Sequence, residues 1–252
     1  MGGPYGAGVL DTGARRALAA TRFADVIWLA EVTSTNDEVA ARARAGAPEG
    51  MVVVADSQSA GRGRRGRPWE APAGSSLLVS VLLRPAAPHL ALVAAGLAAL
   101  AACRTTTGVD ASLKWPNDLV VEGHGKLAGI LAEGAPDGGV VVGLGINVDW
   151  ATTPPPAGAT SLALVGGVEV DREGLLVAYL VALEDRCRQA PDALMADYRA
   201  ACSTIGRPVR VALPDGTALE GSATGVDDDG RLVIDGRHVA AGDVVHVRSV
   251  VR

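Results

Sequence analysis

The texture of the chain changes at Gly206. Ahead of that point, apolar strand-like runs alternate with alanine- and leucine-rich stretches of helical period. Beyond it, short strand-like runs at 209–213, 218–226, 231–234 and 244–250 are separated by Asp215-Gly216, Asp229-Gly230 and Asp235-Gly236. Asp-Gly is a hairpin dipeptide because both residues reach positive φ at low steric cost. Such spacing leaves no room for a helix, so the tail predicts a small β-barrel appended to an α/β body. A length of 252 residues suits that division. The boundaries predicted are a tail and short helix over 1–25, a main domain over 26–204 and the barrel over 205–252.

Within the body, 11–23 has helical spacing and 26–30 reads as a short strand. Thr33-Ser34-Thr35-Asn36-Asp37-Glu38 then opens an alanine-rich helix. Ser or Thr followed by acidic residues is an N-cap signature, and a helix N-terminus also presents free N–H groups to an anion. Strands are predicted at 51–55 and 76–83, and a buried helix at 90–105. Pro116 marks an edge, a bulge or a strand end in the 113–118 run. Residues 119–121 and 126–133 form a hairpin about Gly123-His124-Gly125. Gly143 and Gly145 interrupt the strand 140–147, which signals either a simple bulge or close approach of a ligand. Leu175, Leu176, Tyr179, Leu180 and Leu183 recur at helical period. A further helix spans 191–204.

The strongest chemical signal is Gly61-Arg62-Gly63-Arg64-Arg65-Gly66-Arg67, followed by Pro68-Trp69. It is a positive island on a chain of net charge −5. Glycine permits close backbone approach, and arginine offers forked donors matched to carboxylate and phosphate. The pattern predicts a mobile loop that closes over an anion; the bland alternative is a solvated loop. The stretch also fits G-x-G-x-x-G, but the dinucleotide fingerprint needs a helix opening at the third glycine and an acidic residue further on. Here Pro68 and a strand follow, and 84–87 carries no acid.

Composition narrows the class. Cys103, Cys187 and Cys202 are odd in number and widely spaced, which argues for reduced thiols in a cytoplasm and against a disulfide framework or a zinc site. The four histidines form no metal-spaced pair, and no apolar run is long enough to demand a membrane span. Duplex binding needs a broad basic face, which an acidic chain does not supply. Lysine occurs only at Lys114 and Lys126, and asparagine only at Asn36, Asn117 and Asn147. This reads as coding drift toward G/C-rich codons. Drift turns replaceable lysines into arginines, so the two survivors are candidates for positions where arginine does not serve.

Four motifs follow one another: G-R-G-R-R-G-R-P-W, K-W-P-N-D, G-K-L-A-G-I-L-A-E and G-L-G-I-N-V. Together they closely resemble bacterial biotin–protein ligases. The resemblance implies an α+β fold, with a mixed sheet and flanking helices as in class II aminoacyl-tRNA synthetases, plus a C-terminal SH3-like barrel. It implies that biotin is activated with ATP and Mg²⁺ to biotinyl-5′-AMP, with loss of pyrophosphate. Biotin then passes to a lysine of a biotin carboxyl carrier domain. A lipoate or octanoate transferase on the same body is the nearest alternative. By motif, Ser34, Thr35, Asn36 and Gln58 fall at biotin-contacting positions, as do Gly61, Arg62, Gly63, Arg64 and Lys126. Gly129, Gly143 and Gly145 would line the pocket with backbone. The nucleotide side takes Arg64, Arg65, Arg67 and Trp69, with Lys114, Asn117, Asn147 and, in the barrel, Arg248. Lys126, Arg62 and Asp118 are the catalytic candidates. Too few residues precede the first strand for the N-terminal winged helix of repressor relatives, so no DNA binding is expected, and a monomer or weak homodimer is. At 157–159, where some relatives carry an adenine-stacking aromatic, this chain has small residues.

Overall fold

The computed structural model describes residues 10–150 and 153–246. Seven strands form a mixed sheet: β1 (Val26–Val32), β2 (Val52–Gln58), β3 (Ser76–Leu83), β4 (Ser112–Lys114), β5 (Asp118–Val121), β6 (Gly125–Gly134) and β7 (Val140–Asn147). Their order is β1-β2-β3-β7-β6-β5-β4. β1 and β2 run parallel and every other neighbouring pair is antiparallel. The helices are α1 (Thr12–Leu18), α2 (Thr35–Arg44), α3 (Pro88–Thr107), α4 (Leu162–Gly166), α5 (Arg172–Arg188) and α6 (Pro191–Ala201).

β3 is buried along its whole length because both faces of the sheet are covered. Leu77, Val79, Val81 and Leu83 share a core with α3 and α5, whereas Leu82 packs with Val39 and Ala43 of α2. By length and composition α3 could cross a membrane, but its alanine-rich surface lies in the core. Alanine and Gly96 let it approach closely: a Cβ at Gly96 would sit 3.0 Å from Leu113 Cδ2. α3 is longer than its predicted 90–105, since Pro88 is tolerated in the first turn and Gly108 closes the helix at φ 71°. α1 is shorter than its predicted 11–23; the chain turns after Leu18 and buries Phe23.

The C-terminal segment holds five strands: β8 (Pro208–Ala212), β9 (Ala218–Val226), β10 (Leu232–Ile234), β11 (Arg237–Val239) and β12 (Asp243–His246). They make one antiparallel sheet in the order β11-β10-β9-β8-β12. Among the described residues no pairing of β11 with β12 closes it into a barrel. The sequence reading missed β11, the return strand of the Asp235-Gly236 turn. The predicted strand end at 247–250 and Arg248 lie outside the described residues. This sheet docks on the turn between β4 and β5: Trp115 Nε1 donates to the Gly230 carbonyl at 2.9 Å, and the Trp115 amide donates to Thr204 Oγ1 at 3.1 Å.

A buried ion pair ties α5 to the end of β2. Asp56 Oδ1 accepts from Arg172 Nη2 at 2.7 Å and from Trp28 Nε1 at 3.0 Å, and the guanidinium also reaches the Ser76 carbonyl. Both partners are under a tenth exposed. Removing one buried ion strands the other, whereas removing both does not. Arg172→Met is therefore expected to cost about 3–5 kcal/mol in urea denaturation, and Asp56→Asn in the same chain should recover part of it. A loss within the error of the measurement would show that the pair does not hold these elements together.

Candidate active site

A cavity of about 420 Å³ opens on the face of β6 and β7, within the roughly 300–1,000 Å³ range of small-molecule sites. Its walls are the first turn of α2, the end of β2, the arginine loop, the turn at 114–118 and the start of β12.

One end is polar and mostly buried. Gln58 Oε1 accepts from the Thr35 amide at 2.8 Å and from Thr35 Oγ1 at 3.1 Å. The Ser80 hydroxyl lies 2.7 Å from Thr35 Oγ1 and 2.6 Å from Asn36 Oδ1. Asn36 Nδ2 donates to Glu133 Oε2 at 2.6 Å. Ser34, within the predicted capping stretch, occupies the N-cap of α2, but its side chain makes no capping bond; the Thr35 amide is taken by Gln58. Ser34, Thr35, Asn36 and Ser80 are all buried. Ser80 and Glu133 escaped the sequence reading. The signal for Ser80 was there: it is a hydroxyl in the middle of Leu77-Leu78-Val79-Ser80-Val81-Leu82, where a buried polar group needs partners.

At the other end stands a cation. Lys126 Nζ pairs with Asp118 Oδ1 at 2.7 Å and lies 5.4 Å from the centre of the Trp69 ring. A β-bulge makes this possible. Across β5 and β6, Leu119 faces Ala128 but Val120 faces Lys126, so Leu127 is the extra residue. In an unbroken strand, residues three apart point to opposite faces; the inserted residue restores parity and re-aims the side chain. Lys126 therefore shares the face of Gly129, where an added Cβ would lie 3.1 Å from Nζ.

Glycines form the floor. A Cβ at Gly145 would come within 2.6 Å of the Trp69 indole, and one at Gly129 within 2.9 Å. At Gly143 it would meet Asn36 Oδ1 at 2.2 Å. Trp69, predicted on the nucleotide side, thus lies over the glycines predicted to line the biotin slot, and its buried Nε1 finds no partner among the described residues.

The arginine loop is folded over the cavity and anchored at both ends. Arg62 lines the cavity, yet both terminal nitrogens donate to Asp37 at 2.7 Å, and Nη2 lies 3.4 Å from Glu133. The hydrogen bonds to Asp37 hold Arg62 more basic than usual and keep the Asp37 carboxyl below the ordinary carboxylate range. Arg62, predicted among the catalytic groups, thus both lines the cavity and ties the loop to the body. Arg64 is deeper: Nη1 donates to Asn117 Oδ1 and to the Gly242 carbonyl, each at 3.3 Å. Burial lowers its pKa, against the pull of Asp243 and Asp118. Gly63, Arg67, Lys114 and Asn117 also line the cavity. Gly61, Arg65 and Asn147 are not among its lining residues. Gly61 is needed for the turn itself, since a Cβ there would strike the Trp69 carbonyl at 2.4 Å. The buried Asn147 amide donates to the Thr160 carbonyl at 2.9 Å. Among the described residues no three His, Cys, Asp or Glu side chains gather into a metal-binding group.

Residues 28–150 match the Biotin/lipoate A/B protein ligase family, and residues 204–247 match the Biotin protein ligase C terminal domain. The chain is 45% identical over 244 residues to the biotin–[acetyl-CoA-carboxylase] ligase of Mycobacterium tuberculosis, covering 90% of each. It is 36% identical to the enzyme of that name from Paracoccus denitrificans, over 82% of this chain and 93% of the relative. Among solved structures, the biotin protein ligase of Aquifex aeolicus in complex with biotin and ATP superposes with a TM-score of 0.77 at 27% identity, covering 90% of this chain and all of that one. With its motifs, fold and cavity in agreement, this chain belongs to the biotin protein ligase family.

Proposed function

We propose that the chain is an ATP-dependent biotin–protein ligase. It joins biotin to AMP, releases pyrophosphate, and then transfers biotin to a lysine of a biotin carboxyl carrier domain. One observation carries this reading: a single cavity has a buried amide-and-hydroxyl cluster at one end and the Lys126–Asp118 pair at the other. The cluster suits a ureido ring, because Gln58, Thr35 and Asn36 line the cavity with both donors and acceptors, and the buried Ser80 holds two of them in place.

The first step must bring a carboxylate to the α-phosphorus of ATP. Two such anions about 4 Å apart repel by about 4 kcal/mol at an effective dielectric near 20. An ammonium between them turns repulsion into attraction. In this reading Lys126 supplies that ammonium, which is supported by its position in the cavity lining, about one-third exposed, beside Asp118 and the Trp69 face. Arg64, Arg65 and Arg67 are the cations for the phosphates and the leaving pyrophosphate. Folded over the cavity, the loop keeps water from the mixed anhydride. Mg²⁺ would neutralise phosphate oxygens. The cavity's carboxylates, Asp118 and Asp243, are already paired with cations, so the metal would be held through the phosphates. In the second step Asp118 is the carboxylate nearest the reacting end, positioned to receive the incoming ammonium or its proton.

The same reading takes 26–204 as the catalytic unit and 205–252 as an SH3-like barrel. The lipoate alternative is separated by pyrophosphate exchange, which should depend on biotin and not on lipoate. Replacing Lys126 by Ala should cut biotin-dependent exchange at least about 100-fold, and Lys126→Arg should not restore it; near-normal exchange in either protein would remove the lysine from the mechanism. Gly143→Ala forces Asn36 away from Ser80, so calorimetry should show biotin binding weakened about tenfold or more. Unchanged affinity would mean that Asn36 does not contact the ligand.

A further inference from the structure

The carboxylate that begins β12 reaches across from the C-terminal sheet to the arginine loop. Asp243 Oδ2 accepts from Arg65 Nη1 at 3.1 Å and, more closely, from Arg67 Nη2. The neighbouring Gly242 carbonyl accepts from Arg64 Nη1 at 3.3 Å. All three arginines after Gly63 thus end on two consecutive residues of another sheet. Those residues cannot shift easily: a Cβ at Gly242 would lie 2.3 Å from Val211 Cγ1, and Asp243 is in register with Ala212 of β8. Asp243 also lines the cavity, with about a quarter of its side chain exposed.

Two guanidinium groups converging on one carboxylate oxygen make a site with more positive charge than its occupant neutralises. A polyphosphate carries more charge and more acceptor oxygens, and guanidinium binds both kinds of anion through the same forked donors. We propose that Asp243 is a positioning residue that stands in for phosphate. It holds Arg67 at the cavity, and Arg65 behind it, before nucleotide arrives, and the polyphosphate displaces it. After adenylation it competes for the same arginines and so speeds the departure of pyrophosphate. The C-terminal sheet then contributes to the first half-reaction by lending an anion. This inference rests on the ligase reading above.

A partly exposed pair of this kind is worth little alone, but an internal competitor weakens an external ligand by the factor it must be displaced. Inorganic pyrophosphate with magnesium is the probe, because its binding needs no biotin. By calorimetry, Asp243→Asn should bind it about three- to tenfold more tightly than wild type. Asp243→Glu should return the affinity to the wild-type level, and biotin affinity should be unchanged in both. In turnover, Asp243→Asn should be more sensitive to product inhibition by pyrophosphate. In an Arg65→Ala, Arg67→Ala background the same substitution should no longer alter pyrophosphate binding. Equal or weaker pyrophosphate binding by Asp243→Asn, or an unchanged effect in the double-alanine background, overturns the proposal. Should the amide perturb folding, as read by the thermal midpoint, Asp243→Ser supplies the same comparison. A wild-type protein without biotin-dependent exchange would sink the ligase reading, a result distinct from the pyrophosphate comparison.

Discussion

A single bulged residue in β6 governs the chemistry available to this fold. Leu127 is an extra residue opposite β5, and its insertion brings Lys126 to the face that carries Gly129. Without it the ammonium would point to the opposite face, and Asp118 would have no partner at the cavity. The bulge sits next to the Gly123-His124-Gly125 turn and beside the loop at 156–160. There the Lys126 amide donates to the Gly158 carbonyl, and the Lys126 carbonyl accepts from Thr160. Backbone bonds on one side of β6 and the ion pair on the other fix the cation from two directions. This rigidity matters, because electrostatic stabilisation is strongest when the charge needs no reorganisation.

Shape is set by what is missing. At Gly129, Gly143 and Gly145 the sheet surface is bare, and each absent Cβ makes room for a particular neighbour: the Trp69 ring at the outer two, and the Asn36 amide at Gly143. Trp69 and the glycines form one device that turns a flat sheet into a slot. The indole covers apolar floor while its face approaches the Lys126 ammonium, an arrangement in which a cation gains from the ring quadrupole.

The C-terminal sheet is part of the site's construction. Trp115 and Thr204 lock it to the turn that presents Asn117 and Asp118. Asp243 and Gly242 lock it to the arginine loop. The loop is also tied to the body through Arg62, Asp37 and Glu133. Four arginines in one loop, two of them at positions 64 and 65 in direct sequence, repel one another. Distributing them over carboxylates and carbonyls on three elements is how the fold holds them together.

Local residue chemistry made much of this protein legible. Period and turn dipeptides located most strands and helices, and the change of pattern at Gly206 separated the two sheets. The resemblance to biotin–protein ligases, carried by four motifs, pointed to many of the residues that line the cavity, among them Thr35, Asn36, Gln58, Lys126 and Gly129. What the chain alone left open depended on partners distant in sequence. Nothing in the chain near Arg62 signalled its pairing with Asp37 and Glu133, 25 and 71 residues away. The bond from the Asn147 amide to the Thr160 carbonyl was likewise invisible in the chain. Ser80 looked like part of an apolar strand, and Asp243, just ahead of the last predicted strand, drew no reading at all. A bulge also leaves no mark in composition, since it is a property of two strands paired together. Sequence thus determined which chemical groups are present and roughly where they sit; tertiary pairing decided which charges remain free to meet a substrate, because a charge's role depends on what neutralises it.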